Sequence, residues 1–432
     1  MELFTFTNCL KRGWPDLNYS AYRALISAAY LMAYPWLAHK YKTGLNERKA
    51  LYTEEKKQLF RRKNPLWVHS VSVGEVQSAW PLLLAAHEDV PDLPVVLSTT
   101  TVTGKDMAHQ LVSELFDAHI YYPWDTPWIV ARALDAIQPK AYVVIETEIW
   151  PNLLKELVKR QIPAFLVNGR FSETTSLKGK NHPDFWRNIF SCFTRLMVRS
   201  DKDEEYLLSL GLEPEKIAVT GDCKVDALRL RQKSADFSWA NKLIGRRKPV
   251  FLAGSTHTGE DEIVLEAYSQ VKKQIPEARL IIVPRHPERA EAVTASAQKI
   301  AKAERLSAVK NGWDILIVDK IGVLFDLYGV ADSAFVGGSL VPKGGQNLME
   351  AAVFGIPVCH GPNMEDFPEA AAGLAAHHGA VTVRNAEEMA EWWQKSLSPS
   401  MRERVKQGAA QYFEGVGGAA SLSWKEIREV MG

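Results

Sequence analysis

An α/β fold made of two Rossmann-like halves is what this sequence of 432 residues predicts, and three observations carry the prediction. Short apolar runs alternate with segments of helical periodicity, the signature of βαβ units on a parallel sheet. The alternation fades between Ala227 and Lys248, in a polar and basic stretch, and then restarts. The chain is also too long for one ordinary core, so two domains are the natural division. With 46% hydrophobic and 24% charged residues, its composition is that of a globular protein able to bury such cores.

The stretch Leu66–Glu75, LWVHSVSVGE, organises the first half. Leu66, Trp67, Val68, Val71 and Val73 give the pattern of a half-buried strand, which Gly74 breaks. In the segment that follows, Val76, Ala79, Trp80, Leu83 and Leu84 share one helical face. Glu75 therefore stands at the carboxyl end of a strand, where open α/β sheets bind ligands. Complementing the positive end of the helix dipole also accounts for an acidic residue at this point. LPVVLSTT (93–100) reads as the next strand, with Thr103 and Gly104 leading into a helix. AYVVI (141–145) is apolar throughout, as in the middle of a parallel sheet, and delivers Glu146 and Glu148 into the loop ETEIWPN. Strands ending at Asn168 and Ser200 follow.

Beyond the junction, PVFLAGS, RLIIVPRH, DILIVD, ADSAFVGGS and GIPVCHG read as strands of a second sheet, facing the first half across a cleft. Three of their ends carry phosphate-type chemistry: GSTHTGE (254–260), PRHPER (284–289) with Arg285, His286 and Arg289, and the glycine-rich GGSLVPKGGQN (337–347). Exposed amides at a helix start after such a glycine loop make an anion site. GK[ST] never occurs and no GxGxxG follows the first strand, so neither fingerprint applies. An amphipathic helix, Ser421–Met431, ends the chain and is placed to cross back to the first domain.

Charge and cysteine usage exclude several classes. A net charge of +1 gives no global attraction for nucleic acid. Cys9, Cys192, Cys223 and Cys359 lie far apart without metal-ligand spacing, which fits a reducing compartment. Asp201 and Asp203 form a DxD, but with Ser200 they open a helix, so capping explains them better than metal binding. No metal and no cofactor are expected. Residues 1–18 show no clear pattern and no signal-peptide features. Tyr19–Ala38 is aromatic-rich with Arg23 as its only charge, and its uncharged part, Ala24–Ala38, is too short to span a bilayer. It runs into a stretch, Lys40–Lys63, in which lysines and arginines outnumber the acids Glu47, Glu54 and Glu55. Two readings fit these residues: an interfacial anchor on an anionic leaflet, or a helix packed on the first domain.

In order along the chain, HSVSVGE, STTTVTG, YYPWDTP, ETEIWPN, NGRFSE, TGDCK, GSTHTGE, VPRHPER, FVGGSLVPKGGQN and the stretch Gly361–Phe367 resemble the family of 3-deoxy-D-manno-oct-2-ulosonic acid (Kdo) transferases. The resemblance covers about residues 19–380. It implies a GT-B fold with an amino-terminal membrane-associating helix, at the cytoplasmic face of the inner membrane. It also implies inverting transfer of Kdo from CMP-Kdo to a lipid A precursor in lipopolysaccharide biosynthesis. Matched residue by residue, Glu75 is the general base, and Glu146 and Lys224 stabilise the transition state. Pro284 and Arg285, Ile321, Gly322 and Val323, and Asn347, Leu348, Met349 and Glu350 contact CMP. Two departures stand out. Val323 replaces a usual glutamate, and Leu348 replaces a usual proline, which predicts a looser turn. The implied organisation is a membrane helix and basic linker (1–64), an acceptor domain (65–230), a CMP-sugar domain (249–415) and a carboxyl-terminal helix (416–432). Another GT-B nucleotide-sugar transferase, an epimerase, or a non-catalytic lipid- or nucleotide-binding relative are the alternatives.

Overall fold

The computed structural model describes residues 18–171, 182–245, 249–310 and 312–432. The readings made for residues 1–17, for 172–173 of NGRFSE and for 246–248 of the polar junction lie outside the described residues. The chain divides into two compact units, Met1–Ala227 with Gly417–Gly432, and Leu228–Val416. The division falls inside the helix Cys223–Ser234, at the start of the polar stretch.

The first unit is built on a seven-stranded sheet in the order β3-β2-β1-β4-β5-β6-β7, with every neighbouring pair parallel. Its strands are β1 Leu66–His69, β2 Val95–Thr99, β3 Ala118–Tyr121, β4 Ala141–Ile145, β5 Ala164–Gly169, β6 Arg195–Val198 and β7 Ile217–Val219. Strand β1 is buried on both faces rather than one, which corrects the half-buried reading. Leu66 and Val68 pack with Val76, Leu83 and Ile427, while Trp67 joins Tyr22, Tyr122 and Tyr142 in a separate core. The strand also ends at His69, and the helix Val73–Asp89 already includes Gly74, so glycine does not end the strand. The final helix, Ala419–Met431, returns to cover this sheet, with Trp424 Nε1 donating to Asp89 Oδ2 at 3.0 Å.

The helix Tyr19–Lys40 packs one end on the same unit: Tyr22 is buried and its hydroxyl donates to Asp125 Oδ2 at 2.8 Å. Farther along the helix Leu31, Met32 and Trp36 are exposed, Met32 to 78%. Among the described residues no helix is long and apolar enough to cross a membrane.

The second unit repeats the design in the order β10-β11-β9-β8-β12-β13-β14, again all parallel. The strands are β8 Val250–Thr256, β9 Arg279–Pro284, β10 Ala303–Arg305, β11 Ile315–Ile317, β12 Ser333–Val336, β13 Val358–His360 and β14 Ala380–Thr382. In each sheet the strand order reverses beside the first strand, between β1 and β4 and between β8 and β12. Such switch points are where open α/β sheets leave a crevice at the strands' carboxyl ends.

Candidate functional site

In the first unit the switch point gathers four charged side chains. Glu75 sits in the first turn after β1, and its Oε2 accepts from the Val71 amide at 2.6 Å. That bond reaches back across the helix start, much as in a capping box but to the residue before the N-cap. A second property goes beyond capping. Burial raises the Glu75 carboxyl to about 8, and the neighbouring Glu148 and Glu146 push the same way against the Val71 amide and Lys224. Glu148, two residues past Glu146 in the same loop, is itself raised to about 7 by burial and by Glu146. Perturbed carboxyls at a sheet's ligand end make this a candidate functional site.

Glu146 follows β4 directly and takes a left-handed backbone at φ 61°, unusual for a residue with a side chain. Its Oε1 pairs with Lys224 Nζ at 2.7 Å and lies 3.4 Å from Ser78 Oγ. Two consecutive residues at the end of β5 hold the backbone at Glu146 and at Cys223, the residue before Lys224. The Val167 carbonyl accepts from the Glu146 amide at 2.8 Å, and Asn168 Oδ1 accepts from the Cys223 amide at 2.9 Å. Asp222 adds a bond from the Lys224 amide and an ion pair with Arg199 at 2.7 Å. Sequence reasoning named Glu75, Glu146 and Lys224, and the structure brings all three together. It gave no role to Ser78, Glu148, Asn168 or Asp222, although ETEIWPN, NGRFSE and TGDCK contain the last three.

The DxD residues do not join this cluster. Ser200 Oγ donates to Asp203 Oδ2 at 2.6 Å, and Asp203 Oδ1 accepts from the Phe171 amide at 2.6 Å, so Asp203 ties the loop after β5 to a helix start. Ser200 makes no cap bond to the backbone, which refines the capping explanation.

In the second unit Pro284 is buried at the end of β9, and Arg285 emerges exposed, its amide bonded to the Thr256 carbonyl at 2.9 Å. Arg289 turns inward: it donates to the Thr256 carbonyl at 2.8 Å and pairs with Asp261. Ile321 is 81% exposed, Gly322 has φ 88°, and Val323 precedes the helix Leu324–Tyr328. Asn347 Oδ1 accepts from the Met349 amide at 3.1 Å. Leu348 has φ −71° and is fully buried. That angle is close to the one proline imposes, so the turn keeps the proline-like conformation with leucine in place. The anion-site reading placed its amides at the helix start, and the structure limits that site and fills the loop's first arm. The helix Met349–Ala352 is a single turn, and the amides of Gly338, Ser339 and Leu340 already donate to Glu260.

Two doubly wound parallel units with ionisable residues at strand ends define the GT-B fold class. A solved structure with this fold is UDP-GlcNAc 2-epimerase from Neisseria meningitidis, with a TM-score of 0.59 and 17% identity, over 84% of this chain and all of that one. The family model described as 3-deoxy-D-manno-octulosonic-acid transferase matches residues 43–227. The 3-deoxy-D-manno-octulosonic acid transferase of Haemophilus influenzae is 30% identical over 80% of this chain and 82% of its own length. That of Bordetella pertussis is 30% identical over 85% and 88%. The chain belongs to the 3-deoxy-D-manno-octulosonic acid transferase family and is a glycosyltransferase.

Proposed function

We propose that this glycosyltransferase moves Kdo from CMP-Kdo to a hydroxyl of a lipid A precursor, with inversion at the anomeric carbon. The observation that carries the reading is the Glu75 carboxyl, raised to about 8 beside an ion-paired lysine. An alcohol is a poor nucleophile until its proton leaves as it attacks, and a carboxylate of raised pKa accepts that proton better than an ordinary one. The acceptor oxygen bonds to the anomeric carbon while the bond from that carbon to the CMP phosphate breaks. The hydroxyl proton passes to Glu75 and CMP departs with the bonding electrons. At pH 7 about a tenth of Glu75 is ionised in the free enzyme, so the rate climbs with pH. Lys224, held by Glu146 and 42% exposed, supplies positive charge as the transition state gathers negative charge. Arg285, exposed at the end of β9, pairs with the donor's phosphate.

The acceptor is an amphiphile, and in this reading the helix Tyr19–Lys40 meets it at the cytoplasmic leaflet of the inner membrane. Leu31, Met32 and Trp36 enter the interface while the exposed Lys40 and Lys42 face anionic headgroups. The experiment is direct: incubate the purified protein with CMP-Kdo and a lipid A precursor, and follow CMP release and product mass. A precursor heavier by Kdo residues, matched by CMP, is the expected result. CMP-Kdo left intact in the presence of acceptor would refute the proposal.

A further inference from the structure

The glycine-rich loop after β12 has the shape of a phosphate cradle, yet its amides are occupied by the protein's own carboxylate. Glu260 is fully buried. Its Oε1 accepts from the Ser339 amide at 3.0 Å and the Leu340 amide at 2.9 Å. Its Oε2 accepts from the Gly338 amide at 2.7 Å and the His257 amide at 2.8 Å. Four N–H donors on one carboxylate are the bonding an oxyanion ligand would receive from such a nest of amides.

The bonds continue outward from Glu260. The Gly338 carbonyl accepts from the Gly345 amide at 2.9 Å, and the Gly337 carbonyl from the Gln346 amide at 3.1 Å. The two arms of the loop are thereby closed on each other, and the second arm leads straight into Asn347–Glu350. Ser339 extends the network to the next strand end: its Oγ accepts from the Gly361 amide at 2.7 Å, and its carbonyl from the Asn363 amide at 3.0 Å. Space is tight beneath the loop, since a Cβ on Gly337 would lie 2.5 Å from the Ser255 carbonyl oxygen. The loop therefore has backbone close against it at Gly337 and a buried carboxylate bonded to its amides.

We infer that Glu260 is a positioning residue, a built-in anion that shapes the glycine-rich loop and sets Asn347–Glu350 for the nucleotide. This inference rests on the donor-site reading above for its functional half. It has a consequence for ligand chemistry. The amides of 338–340 are not free for the donor's phosphate, which must find its positive partners elsewhere, Arg285 among them. Glu260 touches neither donor nor reacting atoms in this account. It acts through the loop.

The test uses the full-length protein with Glu260→Gln, Glu260→Ala and Glu260→Asp. Glutamine keeps the shape but points an NH₂ group at two amide donors, so the loop loses both acceptance and charge. Hydrogen exchange across 337–350 should speed up about tenfold or more in Glu260→Gln, with the strands of the first sheet unchanged. Donor KM and the CMP dissociation constant should rise about tenfold, while kcat at saturating donor moves much less. Formate should restore part of the CMP affinity of Glu260→Ala, where equal ionic strength of chloride does not. If Glu260→Gln fails to fold, the formate series on Glu260→Ala and the one-carbon-shorter Glu260→Asp carry the same comparison. Unchanged exchange across 337–350 would overturn the loop-holding role. Faster exchange with CMP affinity unaltered would overturn the positioning role. If the wild-type protein binds no CMP, the donor-site reading and the positioning role that rests on it both fail. The exchange measurement alone still decides whether Glu260 holds the loop.

Discussion

Replacing Glu75 with glutamine should remove turnover and stabilise the protein at the same time, and the two effects have one cause. In the fold the carboxyl holds its proton up to about pH 8, because burial and the nearby Glu148 and Glu146 disfavour the charge. In the unfolded chain it ionises near its ordinary value of 4.5. A group raised in this way contributes its full stability below pH 4.5 and loses it progressively as pH climbs toward 8. At pH 7 the gap of about 2.5 pH units costs the native enzyme roughly 3 kcal/mol. Glutamine is neutral in both states and its carbonyl oxygen can still accept from the Val71 amide. The variant should therefore match the wild type near pH 4, gain with rising pH and level off above about 8. Denaturant midpoints for both proteins at several pH values from 4 to 9 measure this difference. Turnover should fall by about 10²- to 10⁴-fold, the usual contribution of a positioned base, while CMP binding persists. A variant of near-normal rate would refute the assignment of the base. A stability difference that stays constant between pH 4 and 9 would refute the raised carboxyl behind it.

Arg285→Ala should weaken CMP binding about tenfold or more through loss of a charge-assisted bond to phosphate, read by calorimetry, and an unchanged affinity would move the donor phosphate away from β9. Lys224→Met leaves Glu146 without its partner at 2.7 Å and removes the cation that lowers Glu75, so the acid limb of the pH–rate profile should shift to higher pH. An unmoved limb would mean that Lys224 does not act on the base. Deleting the amino-terminal helix would uncover the core around Tyr22 and Asp125, so its membrane role is better tested by changing the exposed Leu31, Met32 and Trp36 to serine. The triple variant should sediment less with anionic vesicles at low salt and hardly at all at high salt, since only the charge attraction remains and salt screens it. Sedimentation equal to wild type at both salts would show that this face does not dock.

The amino-acid sequence alone determined the order of the inner strands, because apolar periodicity is a local property written along the chain; the short edge strands β3, β7, β10 and β14 were not legible in it. AYVVI became the central strand β4 with its predicted bounds, and both sheets are parallel as the alternation required. Residue chemistry at strand ends was equally legible: Glu75, Glu146 and Lys224 were all named from short motifs, and they meet at one switch point. Tertiary structure decided everything that depends on a partner distant in sequence. Glu75 and Lys224 are 149 positions apart, and how far Glu75's neighbours and its burial raise it is fixed only when β1, β4 and the helix at Cys223 come together. The first arm of the glycine-rich loop looks open in the sequence, yet Glu260, which folding places against it, fills the amides of 338–340. Leu348 reads as a loosened turn, yet it is buried with a backbone angle close to the one proline imposes. Tyr19–Ala38 is held on the first unit at Tyr22, as the packed reading required, while Met32 farther along the helix is exposed. Local sequence fixes what a segment can form. Burial and hydrogen-bond satisfaction are sums over neighbours, and those neighbours are assigned only by the fold.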